Sequence, residues 1–291
     1  MRNQFLDDRS ALDIDHRIER IHTDLGSRDR PVELVRVREL LELDLRYYRA
    51  GDPDVLGEVV HKFRMGADRV MRAPHLLIEA VAKFGLRALF LSHRKRILID
   101  SELPDAKKRW SEGHEIAHSV IPWHDGYMHG DNRTTLSPGC QERIEAEANY
   151  GAGRLLFPAR AFGEASLSSP PTMEHIRELA DQFGNTITST LWRYVEGYSG
   201  LALGLIGQHP HFPQGDESTV AYLVGSRRFL AEFPHVSEEE LATVLRGYCS
   251  RRRGGPLGSG QAVLLDANGA PHTFSMNSFG NTHQVLTLGW A

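Results

Sequence analysis

The chain has 291 residues, of which 41% are hydrophobic and 25% are charged, and its formal net charge is −4 at pH 7. This composition is that of a globular protein with room for two domains, and the charge gives no general attraction to nucleic acid or anionic membranes. The two cysteines, the polar N-terminus and the lack of a long apolar run predict a soluble cytoplasmic protein without disulfides, secretory signal or membrane span.

The first part of the chain carries helical patterns but no visible chemistry. Residues 1–30 are charged and poor in aromatic side chains, so we expect a flexible or loosely helical lead-in. From Pro31 onward apolar residues recur every three to four positions, which predicts one helix that ends at Gly51. The apolar positions are Leu34, Val37, Leu41, Leu45 and Tyr48. Two further core helices are predicted at 54–63 and 74–84.

A β-hairpin and a helix follow. Two short apolar runs, 86–91 and 96–100, flank a polar turn and predict the hairpin. The next helix begins near Asp105 and must end at Pro122, which cannot continue a helix. A strand edge directly before this helix is suited to bind an extended peptide through main-chain hydrogen bonds. The polar segment 127–138 is expected to form a loop over the site.

The predicted helix carries the pattern H-E-x-x-H at residues 114–118. Residues four apart lie on one helical face, so His114 and His118 can present ring nitrogens to one metal ion. Glu115 lies beside that face, where its carboxylate can take a proton from a water that the metal activates. The pattern is typical of zinc metallopeptidases, although two surface histidines on an ordinary helix would also match it.

A catalytic zinc site needs a third protein ligand, and the sequence offers three candidates. His124 stands at the spacing used by metzincins, but Ile121 occupies the position where that pattern needs a glycine. Glu145 and Glu147 lie on the next predicted helix, and Glu145 shares a face with Asn149. An asparagine beside a ligand can hold a metal-binding imidazole in place, so we favour Glu145 over Glu147. The alternative is that these carboxylates only solvate the helix.

Two separated motifs resemble one known family. H-E-I-A-H at 114–118, followed by E-A-E-A-N-Y-G-A-G-R-L-L-F-P at 145–158, is similar to the ImmA/IrrE family of zinc metallopeptidases. The family pattern is H-E-x-x-H and then E-x-x-A-N-x-F-A-x-x-L-L-x-P. The resemblance extends over about 74–200. Two positions depart from it: Gly151 stands where Phe is common, and Ala117 replaces a frequent glycine.

The resemblance implies an α+β fold, with a mainly helical, gluzincin-like peptidase core around a small sheet. It also implies that His114, His118 and Glu145 bind the metal, which is Zn²⁺ or another divalent ion such as Mn²⁺. Glu115 is then the general base, and Asn149 lies beside the ligands as their hydrogen-bonding partner.

Beyond this core, a helix-turn-helix-like pair is predicted at 166–200 and a small, sensor-like α+β domain at 201–291. The second helix of the pair has one positive charge, so we expect it to pack on the peptidase core rather than bind DNA. The predicted strands of the last domain are 201–206, 220–224, 262–266, 273–276 and 285–288, and its helix is 236–248.

The two cysteines have weak functional alternatives. Cys249 precedes three arginines, which could activate its thiol, but an inert cysteine is the simpler interpretation. Cys140 could approach the metal, because it precedes Glu145 by five residues.

The expected organisation is a lead-in, a peptidase core at 31–165, the helical pair and the accessory domain. We expect an intracellular zinc metalloendopeptidase, and the resemblance implies that its substrate is a helix-turn-helix repressor of stress-response or mobile-element genes. The alternative is a DNA- or protein-binding regulator whose metal site is vestigial or structural. Glu115 favours the enzyme, because a structural metal site has no need of a base.

Overall fold

The computed structural model describes residues 2–26, 31–49, 88–124, 138–214, 219–281 and 283–291. The chain divides into two compact units, Leu6–Pro158 and Met1–Phe5 with Ala159–Ala291. Both contain helices and a sheet, which confirms the α+β class. None of the helices in the described ranges is long and apolar enough to span a bilayer.

The first unit begins with helix α1 (Asp8–Leu25). Asp7 caps its N-terminus by accepting a hydrogen bond from the backbone N–H of Ser10. One face is buried, and its members are Ser10, Ile14, Ile18 and Ile21. Residues 1–30, predicted as a flexible or loosely helical lead-in, thus contain an amphipathic helix that the spaced isoleucines among the charges form.

The single helix predicted from Pro31 to Gly51 is wrong beyond Leu41. Helix α2 (Leu34–Leu41) ends at Glu42, whose φ of 56° is left-handed. The chain then enters strand β1 (Asp44–Tyr48). The apolar spacing alone fitted a continuous helix, but neighbouring tyrosines favour a strand, and sheet pairing supplies the backbone hydrogen bonds.

The expected hairpin is part of a three-stranded sheet. Strands β2 (Ala88–Leu91) and β3 (Arg96–Asp100) pair antiparallel, which confirms the predicted hairpin. A 3₁₀ turn, Ser92–Arg94, joins them. Strand β1 runs parallel to β3, so the order is β1-β3-β2. The helices predicted at 54–63 and 74–84 lie outside the described residues.

Two long helices complete this unit. Helix α3 (Asp105–Val120) begins after Pro104 and ends at Ile121, one residue before the expected Pro122. Helix α4 (Pro138–Leu156) packs on α3 and on α1, while α3 also packs on β2 and β3. The helices approach closely at Gly113, where an added Cβ would lie 3.1 Å from Leu156 Cδ1. Except for Pro138, the segment predicted as a loop over the site lies outside the described residues.

The second unit contains five helices among its described residues. They are α5 (Ala159–Ser166), α6 (Met173–Phe183), α7 (Ile187–Gly197), α8 (Arg227–Glu232) and α9 (Glu238–Tyr248). Thr172, Thr186 and Ser237 cap α6, α7 and α9 through their side-chain oxygens, and Gly184 ends α6. The sequence predicts a cap at Ser237 and one at Thr186 or Thr188, and the structure places these caps at Ser237 and Thr186.

Five antiparallel strands form the sheet of this unit in the order β5-β4-β8-β7-β6. They are β4 (Ala202–Gly207), β5 (Val220–Gly225), β6 (Gly255–Leu265), β7 (Pro271–Gly280) and β8 (Val285–Trp290). All five were expected, but β6 and β7 extend well beyond their apolar cores. Gly and Ser residues in these extensions hid the strand pattern, because neither residue favours strands.

Helices α6 and α7, which form the predicted helical pair, pack on this sheet. Helix α7 packs on β4, β5 and β8, and α6 packs on β7 and β8. Leu191 and Val195 of α7 are fully buried, and both lie close to Gly204 of β4. The apolar face of the pair was visible in the sequence, but this sheet as its packing partner was not.

Candidate metal centre

Helix α3 places two imidazoles one turn apart. Ile116 and Ala117 are fully buried on the face that packs inside the unit. This burial fixes the rotation of α3 and brings His114 and His118 to the side that faces α4. Their Nε2 atoms lie 3.1 Å apart. The expected convergence of two ring nitrogens on one point is therefore present.

Helix α4 brings a carboxylate to the same point. Glu145 Oε2 lies 3.2 Å from His114 Nε2, and Glu145 Oε1 lies 3.8 Å from His118 Nε2. One ligand atom from each of the three residues lies within 4.8 Å of the others. Within the described ranges, this is the one cluster of His, Cys, Asp or Glu side chains with the spacing to hold a metal ion.

Asn149 holds the first imidazole from behind. Its Oδ1 lies 3.1 Å from His114 Nδ1, so the ring can donate there and keep Nε2 free for a metal. Asn149 lies one turn after Glu145 on α4, as the sequence predicted. A single face of α4 thus supplies both a candidate ligand and the partner of another.

The two other candidates for third ligand lie elsewhere. His124 Nδ1 lies 2.9 Å from His118 Nδ1, on the side of that ring opposite the metal-facing Nε2. Glu147 Oε2 accepts hydrogen bonds from Trp123 Nε1 at 2.5 Å and His124 Nε2 at 3.0 Å. Its Oε1 accepts from Arg143 Nε at 3.0 Å. Glu147 is 1% exposed and its carboxylate is held by these three donors, so it is not placed to bind the metal.

The pKa shifts follow from these contacts. Burial lowers the pKa of His114, but hydrogen bonding to Glu145 and the charges of Glu115 and Glu145 outweigh it and raise that pKa. The hydrogen bond with His114 lowers the pKa of Glu145 against the opposing effect of burial. The site therefore attracts positive charge, which a divalent cation supplies.

The pKa values of His124 and Glu147, which lie behind His118, are shifted by a different balance of causes. Burial lowers the pKa of His124, and its contact with Glu147 only partly compensates. Burial raises the pKa of Glu147, but hydrogen bonds from Trp123, His124 and Arg143 lower it overall.

Glu115, the expected base, is 6% exposed and follows His114 directly on α3. Its charge is one of the causes that raise the pKa of His114. Cys249, in the second unit, is buried, and burial raises the pKa of its thiol, which contradicts the reactive-thiol alternative. The side chain of Cys140 lies outside the described residues.

The groups that hold Glu147 were only partly visible in the sequence. The Arg143–Glu147 pair was visible as an i, i+4 spacing on α4, which places oppositely charged side chains together. Trp123 and His124 could not be assigned to Glu147, because they follow the end of α3 and their direction depends on how the chain turns after Ile121.

Comparison with known proteins supports the resemblance. Residues 73–193 match the model of the Peptidase_M78 family, described as the IrrE N-terminal-like domain. The radiation response metalloprotease IrrE of Deinococcus deserti is 28% identical over 100 residues, which are 34% of this chain and 36% of that protein. The match therefore spans about a third of the curated relative's length.

A solved structure has a similar fold. A Mycobacterium tuberculosis transcriptional regulator aligns with a TM-score of 0.54 and 13% identity over 96% of this chain and 87% of that chain. At this identity the likeness concerns the fold alone. The family match spans both H-E-x-x-H and the Glu145–Asn149 segment, and residues 73–193 of this chain are similar to the IrrE N-terminal-like domain of that family.

Proposed function

We propose that the protein is a zinc-dependent metalloendopeptidase. The observation that carries this proposal is the convergence of His114 Nε2, His118 Nε2 and the Glu145 carboxylate, with ligand atoms within 4.8 Å of one another. Glu115 adds a buried carboxylate next to the first histidine. A purely structural site would not need that carboxylate, so the arrangement favours catalysis.

The donor set fits zinc. Two imidazole nitrogens and one carboxylate are the protein ligands of many catalytic zinc sites, which keep one position open. Each histidine also has a partner at Nδ1, namely Asn149 for His114 and His124 for His118. Such partners direct the lone pair at Nε2 toward the metal. A zinc ion held there would lower the pKa of a water and polarise a peptide carbonyl.

Glu115 supplies the proton transfers. Its carboxylate accepts a proton from the attacking water and returns it to the amine of the departing peptide. Its burial removes competing solvent and strengthens its interaction with the charges that develop in the site. His114, His118 and Glu145 would hold the metal in place during both transfers.

The edge of the small sheet is suited to bind the peptide. Strand β2 is an outer strand in the order β1-β3-β2 among the described residues, and helix α3 packs against it. An extended substrate can add to such an edge through main-chain hydrogen bonds. This mode reads backbone rather than side chains, so further contacts must supply sequence specificity.

We propose a helix-turn-helix repressor as the substrate, in an intracellular setting. The support is the family resemblance of the two motifs and the match of residues 73–193. The match to IrrE of Deinococcus deserti, named a radiation response metalloprotease, supports a role in a stress response. Cleavage of the repressor would release the genes that it blocks.

Co-incubation with a repressor encoded beside this gene tests the proposal. We expect wild-type protein with zinc to cut it, and Glu115→Gln to keep the metal and fold but to lose about 10²–10⁴-fold in rate. Glutamine has nearly the same shape as glutamate but cannot act as a base at neutral pH. Glu142→Gln, at an exposed position of α4, is the matched control and should cleave normally.

Three outcomes would contradict parts of this account. A Glu115→Gln variant as fast as wild type would rule out Glu115 as the base. Loss of metal or a large drop in melting temperature in this variant would indicate a structural role for Glu115. Cleavage of casein but not of the repressor would refute the proposed substrate and leave the peptidase intact.

A further inference from the structure

On the side of His118 away from the candidate metal site, His118, His124 and Glu147 form a hydrogen-bonded series. His118 Nδ1 lies 2.9 Å from His124 Nδ1, and His124 Nε2 lies 3.0 Å from Glu147 Oε2. His124 is 0% exposed and Glu147 is 1% exposed, so water does not compete for these contacts. Neither side chain is needed to complete the three-ligand set.

The direction of the hydrogen bonds follows from their two ends. Glu147 is held as a carboxylate, so it accepts, and His124 must donate from Nε2. At the other end, a metal at His118 Nε2, the atom that faces His114 and Glu145, needs the lone pair of that nitrogen, so the ring proton of His118 lies on Nδ1. His118 then donates from Nδ1 to His124 Nδ1, which accepts.

The Glu147 end of this hydrogen-bonded series is held in place by further donors. Trp123 Nε1 donates to Glu147 Oε2, and Arg143 Nε donates to Glu147 Oε1. Arg143 Nη2 also donates to Ser10 Oγ of α1 at 3.0 Å. The Glu147 carboxylate sets the direction of these hydrogen bonds. It is held by Trp123 and by Arg143, which also contacts α1. Rotation of this carboxylate toward the metal would break three hydrogen bonds.

We propose that His124 and Glu147 are positioning residues that fix the tautomer and orientation of His118 as a metal ligand. The inference rests on the proposed metal site. It assigns different support to the two histidines: His114 is held by the neutral amide of Asn149, whereas His118 is held through His124 by a charged carboxylate. Partners of this kind typically change metal affinity by about 10–100-fold.

The test is the zinc affinity of the metal-free full-length chain, measured by competition with a chelator. His124→Leu removes the acceptor of His118 and puts an apolar side chain in its place. This variant should bind Zn²⁺ about 10–100-fold more weakly. His124→Asn keeps an oxygen near the position of Nδ1, and should recover most of that loss. His22→Leu is the matched control, since His22 is a partly buried histidine of the same unit that contacts the backbone oxygen of Arg154.

A second pair of variants tests the charged end. Glu147→Gln should weaken Zn²⁺ binding by about tenfold, whereas Glu142→Gln, at an exposed position of the same helix, should not change it. The absorption spectrum of bound Co²⁺ provides an independent readout of ligand geometry. It should shift in His124→Leu and return toward wild type in His124→Asn, which a merely structural role would not produce.

The outcomes separate this inference from the proposed function. Wild-type protein that binds no Zn²⁺ would refute the metal site and the inference together. Tight binding by wild type with unchanged affinity and Co²⁺ spectrum in His124→Leu would overturn the positioning role alone. Equal loss in His124→Leu and His124→Asn would also overturn it, because the acceptor atom would then be irrelevant.

Discussion

At the scale of single residues, the difference between Glu145 and Glu147 decides the site. Two residues apart on a helix, their side chains point about 200° from each other. Glu145 lies 3.2 Å from His114 Nε2, whereas Glu147 is held by Trp123, His124 and Arg143. The preference for Glu145 followed from its shared face with Asn149, a purely local argument. The role of Glu147 required knowledge of where α3 and its following residues lie.

A residue in the second unit gives a separate prediction. Burial raises the pKa of the Cys249 thiol, so little thiolate exists at pH 8 despite the three arginines that follow it. In a Cys140→Ser background, iodoacetamide should modify Cys249 at least about tenfold more slowly in the folded protein than in guanidinium. Mass spectrometry measures both rates. Equal rates would contradict the burial of this thiol.

At the scale of elements, two departures from the family pattern meet between α3 and α4. A Cβ added at Gly151 would lie 2.9 Å from Ala117 Cβ, a distance that real Cβ atoms do not adopt. The family commonly has Phe where Gly151 stands and Gly where Ala117 stands. The methyl group on one helix thus occupies space that the glycine of the other leaves open. The sequence displayed both changes but not that they touch.

A double-mutant cycle tests this compensation. Gly151→Ala should lower the free energy of unfolding by about 1–3 kcal/mol through overpacking. Ala117→Gly should also destabilise, by about 1 kcal/mol from helix propensity. Combined, they should cost less than the sum, because the clash is gone.

Gly163→Ala, in α5, is the control for the helical-glycine effect. No atom lies within 4 Å of a Cβ added there, so this change should stabilise by about 0.4–1 kcal/mol. Urea denaturation measures all four variants. Additive effects of Gly151→Ala and Ala117→Gly would show that the two positions are independent.

Helix α1 gives a prediction about how elements are joined. Asp15 accepts hydrogen bonds from both Arg154 and Tyr150 of α4, and both partners of the ion pair are largely shielded from water. Asp15→Ala leaves the Arg154 guanidinium without its carboxylate and should cost about 1.5–3 kcal/mol. Asp13→Ala, which removes a more exposed i, i+4 pair with Arg17, should cost about 0.3–0.5 kcal/mol. Equal losses in urea denaturation would mean that α1 is not anchored through Asp15.

Across the whole molecule, features that depend on neighbouring residues were predicted from the sequence better than features that depend on contacts between distant segments. The caps at Thr186 and Ser237 and the hairpin of β2 and β3 depend on residues near one another in the chain, and they appear as expected. The error at α2 and β1 arose because pairing with β3, about 50 residues later, replaced a helix that local spacing allowed. The helical pair was correctly identified, but its packing partner was not visible in its own residues.

A metal ion bound by His114, His118 and Glu145 is the feature on which the proposed function depends. Crystals grown with zinc and measured at the zinc absorption edge locate the ion directly by anomalous scattering. We predict one strong peak in this region, about 2.0–2.2 Å from His114 Nε2, His118 Nε2 and a carboxylate oxygen of Glu145. A peak coordinated by His124 or Glu147 instead, or no peak at these residues in crystals that contain zinc, would contradict the account.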